Sequence, residues 1–466
     1  MSRADAILYT LVVYKLVLVG IGLWATRRTH DTSDFFLGGR RLGGWVAAIS
    51  ASASSSSAWT LVAVSGMAYL WGLPALWLFP ATLSGFLINW LWVAPRLMRQ
   101  SRASGAITLT EFIAGPDADS GWPRRIVLLA SGVVLFSFTF YVAAQFQAAG
   151  NAFASAFALE MHTAVMIGAA VVLVYTLLGG FWAVSVTDTL QGMVMAFTAL
   201  VLPVAAVAAA GGPGAVWASL AELRAAGAGP PVAGIAAVGF ALGTLGIGLG
   251  YPGQPHVVNR FMALRDTRAL RDGRIIALTW AVIIYAGMIT LGFAARALYG
   301  PTVADEQVLF ETANRLFPPV VAAVMIAAVL SAIMSTADSQ LLVAASSASH
   351  DLPRRGRGSL WVSRLVVALI SLLAVVIALA LPQTIFARVL FAWAALGAAF
   401  GPPLLVRLAG LAVPPAAVFA AMATGFAGTL LFYWLPDTPG DWLERLVPFG
   451  AGLAICLAAA RRSARS

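Results

Sequence analysis

The sequence predicts an all-α polytopic membrane protein of about thirteen transmembrane helices, and three observations predict it. Hydrophobic residues make up 60% of the 466 and charged residues 10%, against roughly 45–50% and about 25% in soluble domains. Apolar runs of the ~20 residues needed to cross a bilayer recur along the whole chain. The basic residues fall mainly between alternate runs. This composition excludes a disordered chain, which would be polar and rich in charge. The single cysteine, Cys456, excludes a disulfide scaffold.

The runs lie near 6–25, 43–70, 73–95, 126–151, 161–179, 184–210, 231–252, 274–298, 317–349, 360–381, 385–406, 410–434 and 446–460. The first has no small-residue cleavage site, so it is read as part of the fold and not as a removable leader. The ninth is long enough to tilt or protrude. Twenty-two of the 29 basic residues sort to the loops of one side and six to the other, with Lys15 inside the first run. Positive charge marks the cytoplasm. The N-terminus is therefore expected outside and the C-terminus inside, and the net charge of +10 orients the chain instead of marking a nucleic-acid surface.

Two runs are poor helix formers. The second carries Ser50, Ser52, Ser54, Ser55, Ser56 and Ser57. The seventh carries Gly243, Gly246, Gly248 and Gly250, followed by Tyr251-Pro252-Gly253-Gln254-Pro255. Serine and glycine weaken helices, and an interior proline removes a hydrogen bond. Small residues also let membrane helices pack closely, a role that Gly243–Gly250 fit equally well. The two runs are five spans apart and enter from opposite sides, so each opens a five-span unit of opposite orientation. Interrupted segments at matching places in two halves point to a transporter midplane site. The units run about 43–210 and 231–406, with 6–25, 410–434 and 446–460 peripheral, in one transmembrane domain.

Polar residues at membrane depth are few. An Asp at a helix centre costs about 2.5–3.5 kcal/mol to insert, so Asp338 must face protein, water or an ion. Ser335, Thr336 and Ser339 share roughly one face of the same helix, and hydroxyls and carboxylates suit a hard cation. Serine and threonine hydroxyls can equally bond back to their own helix. Asp188 stands at the start of the sixth span, where a helix N-terminus favours a carboxylate. Gln145 is read as facing a solute and Gln147 as facing a neighbouring helix. His30, His162, His256 and His350 fall in loops or at span ends without metal-ligand spacing, so no transition-metal site is expected. Gly246–Gly250 follows no strand and is no dinucleotide fingerprint. No Ser-His-Asp arrangement is suggested, and nothing supports an enzyme.

At this point the residues carry a resemblance. Asp34-Phe35-Phe36-Leu37-Gly38-Gly39-Arg40-Arg41-Leu42-Gly43, with the serine cluster through Trp59, resembles the start of a sodium/solute symporter. Gly179-Gly180-Phe181-Trp182-Ala183-Val184-Ser185-Val186-Thr187-Asp188-Thr189-Leu190-Gln191 is similar to a signature of that family. So are Gly248–His256 with Arg260-Phe261-Met262, and Met334–Leu342. The likeness is greatest to the bacterial sodium/proline branch and covers most of residues 30–350. It implies the inverted five-plus-five fold of leucine-transporter type. It also implies sodium bound by the carbonyls of Ala53, Ser56 and Ala332 and the hydroxyls of Ser335 and Thr336. Asp188 and Ser339 match a second cation locus of some relatives. Asp338 is counted with them as an electrostatic stand-in for a missing acid, since this chain has Ser55 where the proline branch has a carboxylate. Tyr141 and Pro255 match pocket positions of that branch, which has a Trp where this chain has Ile247.

The expected function is sodium-coupled uptake of a small organic solute by alternating access, the solute lying near Ser55, Ser57, Tyr141, Gln145, Ile247, Tyr251 and Pro255. Amino acid, monocarboxylate and vitamin-like acids all remain open. No cofactor is expected beyond the coupling ion, Na+ or alternatively H+. The partners are the solute, sodium and the bilayer of a bacterial-type inner membrane. A solute sensor with a separate signalling partner is the alternative of another class, since the chain ends after a short basic tail. A channel is disfavoured because no repeated pore loop is visible.

Overall fold

The computed structural model describes residues 3–26, 37–115, 121–176, 181–227, 229–231, 233–351, 360–381 and 383–463. Among them there is no strand, only a bridge between Leu42 and Leu264. The first span is Arg3–Thr26. The second is split into Gly44–Ser55 and Trp59–Trp71. Leu73–Ser104, Trp122–Phe157, Met161–Thr176 and Phe181–Ala209 are the third to sixth. The seventh runs from Gly234 to Gly246, tightens into a 3-10 stretch over Ile247–Gly253, and is followed by a short helix, Pro255–Met262. Thr267–Tyr299, Pro319–Asp351, Leu360–Ala380, Ile385–Leu408, Pro415–Tyr433 and Trp442–Ser463 complete the set. Among the described residues eleven helices are long and apolar enough to span, and Trp59–Trp71 of the second span and Met161–Leu173 are shorter apolar helices.

Several helices extend past their apolar runs into charged sequence. The third continues to Ser104, so Arg96, Arg99 and Arg102 stand on helix and not in a loop. Their apolar stems lie along the helix while the charged heads find water or carbonyls; Arg96 donates to the Trp92 carbonyl at 3.1 Å and Arg102 to that of Arg265 at 2.8 Å. Gly105, left-handed at φ 72°, stops the helix. Asp188 lies two turns inside the sixth span, which starts at Phe181 and not near 184. Three basic residues sorted to loops, Arg260, Arg388 and Arg445, are buried. Arg388 instead ties the eleventh span to the fourth through Gln147 at 2.6 Å, the helix-facing role read for that glutamine. Arg27, Arg28, His30, Asp34, Phe35, Phe36, Gly179, Gly180, Arg354, Arg355, Arg357 and Arg465 lie outside the described residues.

The ninth and eleventh spans form the centre, with 83% and 89% of their apolar windows buried, against 22% for the first and tenth. The two broken spans pack against this centre. A backbone clip joins their surroundings: Leu42 donates to the Ala263 carbonyl at 3.1 Å and Arg265 to that of Leu42 at 2.9 Å.

Candidate cation and solute site

Breaking a membrane helix frees backbone groups that lipid cannot satisfy, at several kcal/mol each. In the second span the half-helix ends at Ser55, and Ser56 turns away at φ −101°, ψ 75°. Neighbouring spans supply the missing partners. The Ala53 carbonyl accepts from Ser335 Oγ at 3.1 Å and the Ser54 carbonyl from Thr336 Oγ1 at 3.1 Å. On the other side of the gap, Ala58 N–H donates to Gln145 Oε1 at 3.1 Å and Trp59 N–H to Ser57 Oγ at 3.2 Å. The half-helix after the gap therefore starts with its N-terminus, the positive end of its dipole, at Ser57–Thr60.

Four of the five oxygen positions read as sodium ligands meet here. Ser335 Oγ lies 3.1 Å from the Ala53 carbonyl and 3.2 Å from that of Ala332, and Thr336 Oγ1 is directed at the next carbonyl of the same broken end. All are buried. Hydroxyl protons bridge these oxygens. Ser56 stands beside them, but its hydroxyl accepts from Trp280 Nε1 at 3.5 Å.

The second locus is differently built. Asp188 Oδ2 accepts from Ser50 at 2.7 Å, Ser54 at 3.2 Å and Arg260 Nη2 at 2.9 Å. Ser339 Oγ accepts from Arg260 Nη2 at 2.6 Å and lies 3.0 Å from Ser54 Oγ. Arg260 and Asp188 are both buried. In sequence Arg260 is marked only by its place in the Arg-Phe-Met segment and otherwise reads as one more loop charge. Asp338 does not belong to this cluster. It lies roughly 100° around the helix from Ser339, on the face that carries Ser331 and Met334. That face meets the first span: Tyr14 OH is 2.5 Å from Ser331 Oγ, Lys15 Nζ contacts Met334 Sδ, and the charges of Lys15 and Asp338 interact.

The solute-site candidates surround both breaks. Tyr141 OH donates to Ser57 Oγ at 3.4 Å, and Tyr251 OH is 3.0 Å from Tyr285 OH. Ile247 contributes its carbonyl, which accepts from Trp393 Nε1 at 3.0 Å. Trp393, from the eleventh span, stands edge-on to Tyr251 at 4.7 Å and to Tyr141 at 6.4 Å. An indole is thus present beside Ile247, brought from another helix. Nothing in the local sequence signals it. Gly250 and Gly253 make room: a Cβ at Gly250 would lie 2.2 Å from Trp393 Nε1, and one at Gly253 2.6 Å from Gly397 Cα. Gln254 Nε2 bridges the carbonyls of Gly250 at 3.1 Å and Trp393 at 3.0 Å, and Pro255 begins the next helix. Ser55 caps back onto the Ser52 carbonyl at 2.9 Å. Gln145 is fully buried and its Nε2 has no partner. His256, expected at a span end, is buried edge-on to Phe138 and Tyr141. Trp59 stacks on Phe386 at 5.7 Å, and Trp71 meets that same ring at 5.3 Å.

Two discontinuous helices, each mended by side chains of uninterrupted neighbours around buried oxygens and aromatic rings, define a secondary transporter. Residues 35–425 match the model of the sodium:solute symporter family, and the chain belongs to that family. It is 35% identical to the high-affinity proline transporter PutP of Bacillus subtilis over 450 residues, 93% of each chain. It is 33% identical to the sodium/proline symporter of Escherichia coli over 93% of this chain and 90% of that one. In structure it resembles a Na+-coupled sialic acid symporter solved in a substrate-bound outward-open state, at a TM-score of 0.81 and 16% identity over 99% and 98% of the chains. A nucleobase-cation-symport-1 transporter is a more distant likeness, at 0.57 and 15% over 94% and 96%. The fold is the inverted five-plus-five type, and the activity is sodium-coupled symport of a small organic solute across the membrane.

Proposed function

We propose that this chain carries proline, or an amino acid of closely similar shape, into the cell together with sodium. The observation that supports this most is the aromatic enclosure of the two breaks. Trp393, Tyr251 and Tyr141 offer flat apolar faces that fit a saturated ring, and such faces also attract an ammonium group. The Ser57–Thr60 half-helix N-terminus and the free Gln145 Nε2 suit a carboxylate. The proline transporters among the relatives, at 33–35% identity over nearly the whole chain, point the same way.

Sodium binds to the carbonyls of Ala53, Ser56 and Ala332 and the hydroxyls of Ser335 and Thr336. It holds the second span's broken end against the ninth span, and so favours one conformation of the carrier; this differential affinity is the coupling. The repeats are about 43–210 and 231–406 and move against each other around the shared site. The N-terminus is outside and the C-terminus cytoplasmic, following the basic loops.

The test is uptake of radiolabelled L-proline into proteoliposomes under an imposed sodium gradient. Uptake stimulated by sodium and competed by unlabelled proline is expected, with S335A/T336A losing at least tenfold in apparent sodium affinity. Equal sodium stimulation in that variant would sink the cation assignment, and proline-insensitive sodium binding would sink the solute.

A further inference from the structure

We propose that Glu111, His350 and Asp351 form a binding site for a divalent transition metal of the zinc type, at the end of the ninth span. Spacing among the histidines gives no hint of it, because Glu111 is 239 positions from His350. Glu111 lies on the short helix Leu109–Ala114, between the third and fourth spans. His350 and Asp351 lie on the last turn of the ninth span, a π turn over Ser347–Asp351. A π turn holds more residues than an α turn, so neighbours rotate less and two adjacent side chains can face one partner. His350 Nε2 is 2.7 Å from Glu111 Oε1. The candidate ligand atoms of all three residues lie within 4.8 Å of one another, and among the described residues no other three His, Cys, Asp or Glu side chains converge in this way.

Both carboxylates are held in place by bonds of their own. Glu111 Oε2 accepts from the Ile107 and Thr108 amides at 2.9 and 3.3 Å, which leaves Oε1 to His350. Asp351 Oδ1 accepts from Thr108 Oγ1 at 3.0 Å and Oδ2 from Ser347 Oγ at 3.5 Å. Such partners orient metal-binding carboxylates. Arg124 donates to the Asp351 main-chain carbonyl at 3.2 Å. Ligands of a tetrahedral zinc stand about 3.3 Å apart, so modest side-chain rotation closes the set around the ion, with water as the fourth ligand. The metal displaces the proton that lies between His350 and Glu111, and the two carboxylates balance its double charge. An imidazole among the ligands selects zinc over magnesium or calcium, which prefer oxygen alone. The side chains of His350 and Glu111 are 16% and 36% exposed, so an ion reaches them from water. Once bound, it staples the connection between the third and fourth spans to the helix that carries Ser335 and Thr336.

Equilibrium dialysis of the purified, tag-free full-length chain in detergent against radioactive zinc tests this, with thermal unfolding of the same samples. Sodium and solute are left out, so the result does not depend on the transport reading. One zinc per protein and a higher melting temperature are expected for the wild type, and no such rise from calcium. H350A and E111Q should each weaken zinc binding at least tenfold and abolish the rise. H162A, which removes the exposed contact of His162 with Glu160, should change neither. No zinc bound by the wild type, binding undiminished in H350A and E111Q, binding lost in H162A instead, or bound zinc without a higher melting temperature would overturn the proposal. Should H350A fail to fold, E111Q, which keeps the side-chain size, decides by the same tenfold criterion.

Discussion

Gly250→Ala tests whether Trp393 is held in place by the broken seventh span. The new Cβ would lie 2.2 Å from Trp393 Nε1 and 2.4 Å from Cδ1, where 3.4 Å begins ordinary contact, so the indole must retreat by about 1.2 Å. Trp393 is only 5% exposed. Overpacking of this kind costs about 1–3 kcal/mol. The retreat also breaks the 3.0 Å bond to the Ile247 carbonyl, and a buried acceptor left unmatched costs about 1–3 kcal/mol more. If the indole forms one wall of the solute site, proline affinity falls tenfold or more, since about 1.4 kcal/mol is tenfold. The assay is proline competition and thermal unfolding of purified G250A, compared with Gly132→Ala, where a Cβ meets nothing within 4 Å. In a Trp393→Leu background the same glycine change should cost less stability, because the clash is gone and the pair couples. Unchanged stability and proline affinity in G250A would refute both the close approach and the role of Trp393.

Gln145→Glu keeps the acceptor for Ala58 N–H but replaces the free Nε2 donor by a carboxylate; we expect at least a tenfold loss of proline affinity, measured by competition, with little change in fold. Burial pushes the Glu306 carboxyl up to about 7, with Asp305 adding to this and the Ile385 amide opposing it. The folded chain then holds that proton more tightly than the unfolded chain, so stability falls as pH rises from about 5 to about 7, by at most about 3 kcal/mol at 1.36 kcal/mol per unit. Thermal unfolding across that range should show the slope in the wild type and a flatter profile in Glu306→Gln. Thr108 accepts from Glu111 N–H at 3.1 Å in a capping box and donates to Asp351 at 3.0 Å; Thr108→Ala should lose about 1 kcal/mol of stability, read as a lower melting temperature.

Composition and run length were enough for the class of protein, because every backbone group in lipid must be satisfied within a helix and only long apolar runs can do so. The broken second and seventh spans were equally legible, since serine, glycine and proline announce weak helix locally. So was the grouping of Ser335, Thr336 and Ala332, which lie within one helical turn or so. What joins distant segments was not. Arg260 reads locally as one more basic residue past a span, and only folding sets its guanidinium on Asp188, 72 positions away. Asp338 and Asp188 look alike in sequence, yet helix phase turns one toward Lys15 and the other toward Arg260. Trp393 lies in an ordinary apolar run, and its place beside Ile247 exists because Gly250 lets the eleventh span close in. Hydropathy and local propensity are properties of the chain itself. Which side chain meets a freed carbonyl or a buried charge is a property of packing, and tertiary structure alone decides it.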